Sequence, residues 1–74
     1  MDTSATGVGR KVTVPLIPKA VTDLAGTRER RNLTETDIVN RAISLYEFLD
    51  EEAASGAEIV LRRRDGSSYL IGWL

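Results

Sequence analysis

The side chains of this 74-residue sequence best placed to do chemistry are basic ones, and they are unevenly spread. Seven basic residues (Arg10, Lys11, Lys19, Arg28, Arg30, Arg31 and Arg41) lie between positions 10 and 41. Four acids (Asp23, Glu29, Glu35 and Asp37) share that stretch, so its net charge is +3. Glu47, Asp50, Glu51 and Glu52 follow as an acidic run, and Arg62, Arg63 and Arg64 form a second basic cluster. The overall charge of −1 hides this polarity, and it is the distribution that governs attraction to a polyanion. The sequence has no His and no Cys. The commonest general base, the commonest metal ligand and every thiolate are therefore missing. No Gly-rich phosphate loop occurs, and the one carboxylate cluster falls on a helix end, where solvated surface is the plain explanation. An enzyme is not expected, nor a cofactor, nor a metal.

Seventy-four residues make one small domain, which buries too little surface to be comfortably stable alone. Such chains rely on disulfides, a metal or a partner subunit. With no Cys and no His, the partner subunit remains, and a homodimer is expected. No apolar run approaches the ~18 residues of a membrane span. The first residues lack a basic-then-apolar signal pattern. The expected location is the cytoplasm.

The elements that position these residues follow from periodicity. Residues 1–9 are small and polar and read as a flexible arm. Arg10-Lys11-Val12-Thr13-Val14-Pro15-Leu16 alternates strictly, with Val12, Val14 and Leu16 on one face and β-branched residues at its centre. Pro15 confines such a strand to a ribbon or a sheet edge. Pro18 suits the first position of a helix, and Val21, Leu24, Ala25 and Arg28 continue on one helical face. Gly26 should weaken that helix by about 1 kcal/mol relative to Ala. Thr34 is a good N-cap, with Asp37 three residues on. The helix it opens runs to about Ala54 and is closed by Gly56. Ile38, Val39, Ala42, Ile43, Leu45, Tyr46 and Leu49 cover roughly 160° of its surface, leaving Phe48 outside. One short helix and one strand cannot cover so wide a stripe. Either a second chain or the C-terminal segment does, and the stability argument favours a second chain.

Strand, helix, helix in this order, with V-T-V-P-L, then Pro18, then L-T-E-T-D before a long amphipathic helix, resembles the ribbon-helix-helix (Arc/MetJ-type) family of bacterial and phage regulators. The match covers Arg10 to about Leu49. The resemblance implies an α+β homodimer in which one strand per subunit pairs antiparallel and enters the DNA major groove. It implies a ribbon-helix-helix domain over residues 10–54 and a transcriptional regulator, repressor-like, bound to double-stranded DNA. Base contacts would then come from Lys11, Thr13 and Pro15. Lys11 can donate to guanine O6 or N7, and Thr13 can donate, accept or pack on a thymine methyl. Pro15 departs from the polar or basic residue usual there and leaves only apolar or steric readout. The family also holds a phosphate at the N-terminus of its second helix, here Thr34, Glu35 and Thr36, where free N–H groups and the dipole favour an anion. Arg10 and Arg31 are the further phosphate candidates. Glu35 is a departure through its charge, and Ile17, before Pro18, through its inability to cap. The implied dimer core is Val12, Val14, Leu16, Ile38, Val39, Ala42, Ile43 and Tyr46. The ribbon would centre on Thr13 and its symmetry mate. Lys11 then pairs with Pro15 of the other chain, while Val12 and Val14 exchange the backbone bonds.

Asp65-Gly66 between two β-rich runs signals a hairpin, a C-terminal appendage over residues 57–74. A two-residue turn pairs Arg64 with Ser67, Arg63 with Ser68, Arg62 with Tyr69 and Leu61 with Leu70. Val60 then meets Ile71, and Ile59 meets Gly72. One face carries Val60, Ile71 and Tyr69, the other Ile59, Leu61 and Leu70. This hairpin is a possible site for a protein partner. Two other functions stay open at this point: an antitoxin whose C-terminal segment blocks a toxin, and a protein-binding module with no DNA role. Plainer readings also stand for single features. Arg28, Arg30 and Arg31 suit a solvated helix end, and Arg62 to Arg64 suit a solvated turn.

Overall fold

The computed structural model describes residues 9–72. The arm expected at residues 1–9 lies almost wholly outside them, as do Trp73 and Leu74. The chain is a small α+β fold: helix α1 (Pro18–Arg31), helix α2 (Glu35–Ala54), and strands β1 (Val60–Arg62) and β2 (Ser68–Leu70) in one antiparallel pair. Among the described residues, no helix is long and apolar enough to cross a membrane.

Pro18 occupies the first turn of α1, where its missing N–H costs nothing. Ile17 before it is extended and offers no side-chain cap, as its chemistry dictates. Lys19 and Asp23 form an exposed i,i+4 ion pair at 2.9 Å. The helix stops at Asn32, which is left-handed (φ 52°, ψ 46°) and donates its N–H to the Arg28 carbonyl at 2.8 Å. Asn is one of the few residues that enter this region at low cost.

Two residues later Thr34 opens α2 as expected, its Oγ accepting from the Asp37 N–H at 3.1 Å. At the far end the Gly56 N–H donates to the Ala53 carbonyl and the Ala57 N–H to the Glu52 carbonyl, both at 3.0 Å. That bonding pattern, with Gly56 at φ 99°, is a Schellman closure. The chain leaves α2 on an N–H-satisfied turn and goes straight into the hairpin.

The hairpin forms, but its register is one residue away from the expected one. Val60 faces Leu70, Leu61 faces Tyr69 and Arg62 faces Ser68. Beyond the strands Arg63 donates to the Ser67 carbonyl at 2.7 Å, and Ile71 to the Ile59 carbonyl at 2.8 Å. The loop is thus three residues, Arg64, Asp65 and Gly66, not the two of Asp65-Gly66. A two-residue primed turn at Asp65-Gly66, whether type I′ or II′, needs positive φ at Asp65. Here Gly66 alone has it (φ 95°), and the Gly66 N–H closes on the Arg63 carbonyl at 3.0 Å. Asp65 instead accepts from the Ser67 N–H at 2.9 Å and the Ser67 hydroxyl at 2.7 Å, an Asx-type lock that keeps it on the conventional side of φ. A one-residue slip exchanges faces. Ile59, Leu61, Arg63, Tyr69 and Ile71 therefore share one side, and Val60, Arg62, Ser68 and Leu70 the other.

Helix α1 packs on α2 and β1 on β2; among the described residues the hairpin approaches α2 only at its last turn, where Ala53, Ile59, Leu70 and Ile71 line a small cleft. No described residue is buried. Leu24, Leu33, Ile38 and Leu49 are half-buried, while Val39, Ile43, Leu45 and Tyr46 are exposed. Among the described residues, the wide stripe of α2 is covered only at Ile38 and Leu49. Isolated helices of this length are marginal in water, so this surface demands cover.

Candidate nucleic-acid interface

Two regions hold the residues singled out for phosphate or base contact. The first is the irregular segment that precedes α1. Arg10, Lys11, Thr13 and Pro15 are all exposed there. So are the alternate residues: Val12 is 66%, Val14 60% and Leu16 47% exposed. No backbone hydrogen bond joins residues 10–16 to the rest of the described chain, and the single chain assigns them to no strand. A run of free N–H and C=O groups with alternating β-branched side chains is an unpaired strand edge in chemical terms. The strand expected over residues 10–16 is therefore not formed within the single chain.

The second region is the N-terminus of α2. Thr34 is the N-cap, and Glu35 and Thr36 form the first turn. The left-handed turn at Asn32 folds the end of α1 back beside this turn. Arg28, Asn32, Leu33, Thr34, Glu35 and Thr36 line a shallow open concavity. Its electrostatics are set by an ion pair: the Arg28 Nη1 lies 3.5 Å from the Glu35 Oε2. The Glu35 carboxylate, a potential repellent of phosphate, is thus turned toward a guanidinium. The first N–H groups of a helix carry a partial positive charge, so the concavity presents dipole and guanidinium together.

Of the expected phosphate residues, the fold brings Thr34, Glu35 and Thr36 together. Arg31 ends α1 as an exposed residue and does not line the concavity; Arg10 sits in the leading segment. Arg28 was not among the residues picked for a phosphate, and the fold places it at this site. Its signal in the sequence is an Asn at the helix end, four residues after Arg28 and three before Glu35. Of the expected dimer core, Ile38 is half-buried, and Val39, Ala42, Ile43 and Tyr46 are exposed along α2. No group of three or more Asp or Glu residues among the described ones could hold a metal ion. Compared with family models, curated proteins and solved structures, the chain finds no match in any of the three.

Proposed function

We propose that the chain is a sequence-specific DNA-binding regulator that works as a ribbon-helix-helix homodimer. The observation that carries this reading is the segment 10–16. It is an unpaired, strictly alternating edge that runs directly into a Pro-started helix, with three exposed aliphatic side chains on one face. Pairing that edge with its symmetry mate satisfies the backbone and turns Val12, Val14 and Leu16 inward against the α2 stripe. Lys11, Thr13 and Pro15 then face outward together, six per dimer, as a ribbon of a width that fits the major groove. The aliphatic faces that no intrachain element covers become the shared core. At ~25 cal/mol per Å² of apolar area, covering them supplies what the described residues, none of them buried, lack.

Phosphate contacts fall to the amide groups of Thr34, Glu35 and Thr36, with Arg28, Arg10 and Arg31 adding charge. The acidic run from Glu47 to Glu52 lies toward the far end of α2, about 16–27 Å along the helix from those amides. That separation keeps the acids away from the DNA and reconciles a net charge of −1 with a basic binding edge. Selection of bound sequences from random duplex DNA tests the proposal. Enrichment of a two-fold symmetric or repeated site is expected. Recovery of the input distribution even at low salt would remove the DNA-binding reading.

A further inference from the structure

Two surfaces stand outside that reading. The first is on α2. At ~100° per residue, Phe48 falls on the flank opposite the Val39–Ile43 side of the stripe, with Ser44, Glu51 and Glu52 within a turn or so of it and Arg41 in line two turns earlier. Phe48 is 57% exposed. Neither Glu51 nor Glu52 is ion-paired through its side chain among the described residues. An exposed ring next to two free carboxylates has no use in a shared helix core.

The second is the hairpin. Leu61 faces Tyr69 across the strands, and the Arg63 guanidinium lies over the Tyr69 ring at 5.2 Å from its centroid. An aliphatic side chain, an aromatic ring and a pre-oriented cation therefore share one face, with Arg64 at the tip. None of the three arginines is ion-paired with a described acid. The Asp65–Ser67 lock and the Gly66 turn make this a shaped feature.

Charge decides what fits the hairpin. Positions 42–72 hold three basic and six acidic residues, a net of −3. A nucleic acid carries a charge every ~1.7 Å of its axis and would run past those acids as well as the arginines. A compact patch of two carboxylates around one ring can face Arg63 and Arg64 with only one hairpin acid, Asp65, nearby, and that one is held by Ser67. The Phe48 surface is such a patch, and the chain's own hairpin meets α2 only at Ala53, where Ile59, Leu70 and Ile71 line a small cleft with it, away from Phe48.

We infer that the hairpin is a self-docking arm: its Leu61–Tyr69–Arg63 face seats on Phe48 of a second copy of the chain, with Arg63 and Arg64 against Glu51 and Glu52. The inference stands on charge and aromatic complementarity and does not need the DNA-binding reading. Arg–aromatic contacts and desolvated carboxylate–guanidinium pairs are the kind of anchor that fixes register between protein surfaces.

The test uses two full-length variants, Glu51→Arg with Glu52→Arg, and Arg63→Glu with Arg64→Glu. Each is first checked for helix content by circular dichroism. Arginines near the C-terminus of α2 agree with its dipole, so the first variant should fold. In either variant alone, the arm and its seat carry like charges. Mixed, each arm finds the opposite charge on the other chain. Native mass spectrometry of the 1:1 mixture should show mixed assemblies well above the roughly one-half expected from random exchange of a dimer. The excess should fade toward ~1 M salt, where the Debye length is about 3 Å. A random mixture, or no assembly at all, overturns the inference. So does a mixture in which Arg63→Glu with Arg64→Glu assembles normally and loses only duplex-DNA binding, which would make the tip a polyanion contact. Failure of DNA selection with an excess of mixed assemblies would remove the DNA reading and leave the arm in place.

Discussion

The Arg28 guanidinium reaches the Glu35 carboxylate at 3.5 Å across the turn that joins the two helices. The pair lies at the mouth of the concavity at the start of α2, so it has more to do with what approaches that helix end than with stability. Both side chains are more than half exposed, 54% and 61%. Surface pairs of this kind contribute about 0–1 kcal/mol. Arg28→Ala should leave the melting temperature within a degree or two and weaken binding to all duplex DNA by a similar factor, with a shallower salt dependence. Glu35→Gln should strengthen binding, because it removes a negative charge beside the phosphate site. Titrations of both variants at two salt concentrations check this, and weaker binding by Glu35→Gln would contradict it.

Thr34 holds the start of α2 through its hydroxyl. Thr34→Ala should lower stability by about 1 kcal/mol, and Thr34→Ser should restore most of it. Thermal unfolding followed by circular dichroism separates the two. An Ala variant as stable as the parent would mean that the cap is not needed once the helices are packed.

Lys11 and Arg31 should fail in different ways. Lys11→Ala should cost ~1–3 kcal/mol on a selected site and flatten the preference for it. Arg31→Ala should weaken selected and random duplexes alike. Equal loss on both duplexes for Lys11→Ala would show that Lys11 touches phosphate and reads no base.

The uncovered stripe on α2 and the unpaired edge at Val12 and Val14 predict folding coupled to association. The unfolding midpoint should rise with protein concentration. Val14→Asp should abolish both the association and most of the helical signal at micromolar protein. A melting point independent of concentration, with a compact monomer, would rule out the shared core.

Asp65 gives the hairpin a pH dependence. Hydrogen bonds from the Ser67 hydroxyl and N–H hold its carboxyl below the ordinary value of 3.8. The carboxylate form is therefore favoured in the folded turn. Its contribution is complete above the unfolded value and disappears as pH falls through the lowered folded one. The hairpin's amide protection should hold at pH 5 and weaken only in strongly acidic solution. Asp65→Asn should remove that acid transition. An identical acid transition in Asp65→Asn would assign it to other carboxylates. Gly66→Ala, forced to φ 95°, should fray the turn at any pH, since side chains rarely adopt that backbone.

Local chemistry made much of this fold legible in the sequence. Within a helix Pro18 suits only the first turn, Thr34 can cap one, and Gly56 can close one, so the start of α1 and both ends of α2 follow from single residues and their neighbours. Asp65-Gly66 likewise marks a reversal between two β-rich runs. What those residues leave open is how far the chain travels within the turn. One residue of loop length, decided by Asp65 locking onto Ser67 while Gly66 alone takes positive φ, moved Tyr69 from the Val60 face to the Leu61 face and set Arg63 over its ring. The end of α1 was similarly quiet: Asn32 in the left-handed region swings Arg28 beside Glu35, and a periodicity reading takes Arg28 as a solvated helix-end charge with nothing to link it to Glu35. Periodicity along one element reports which side is apolar. Which residues of two elements meet depends on backbone dihedrals at one or two turn positions, and those are settled by hydrogen bonds that form only once the chain has turned.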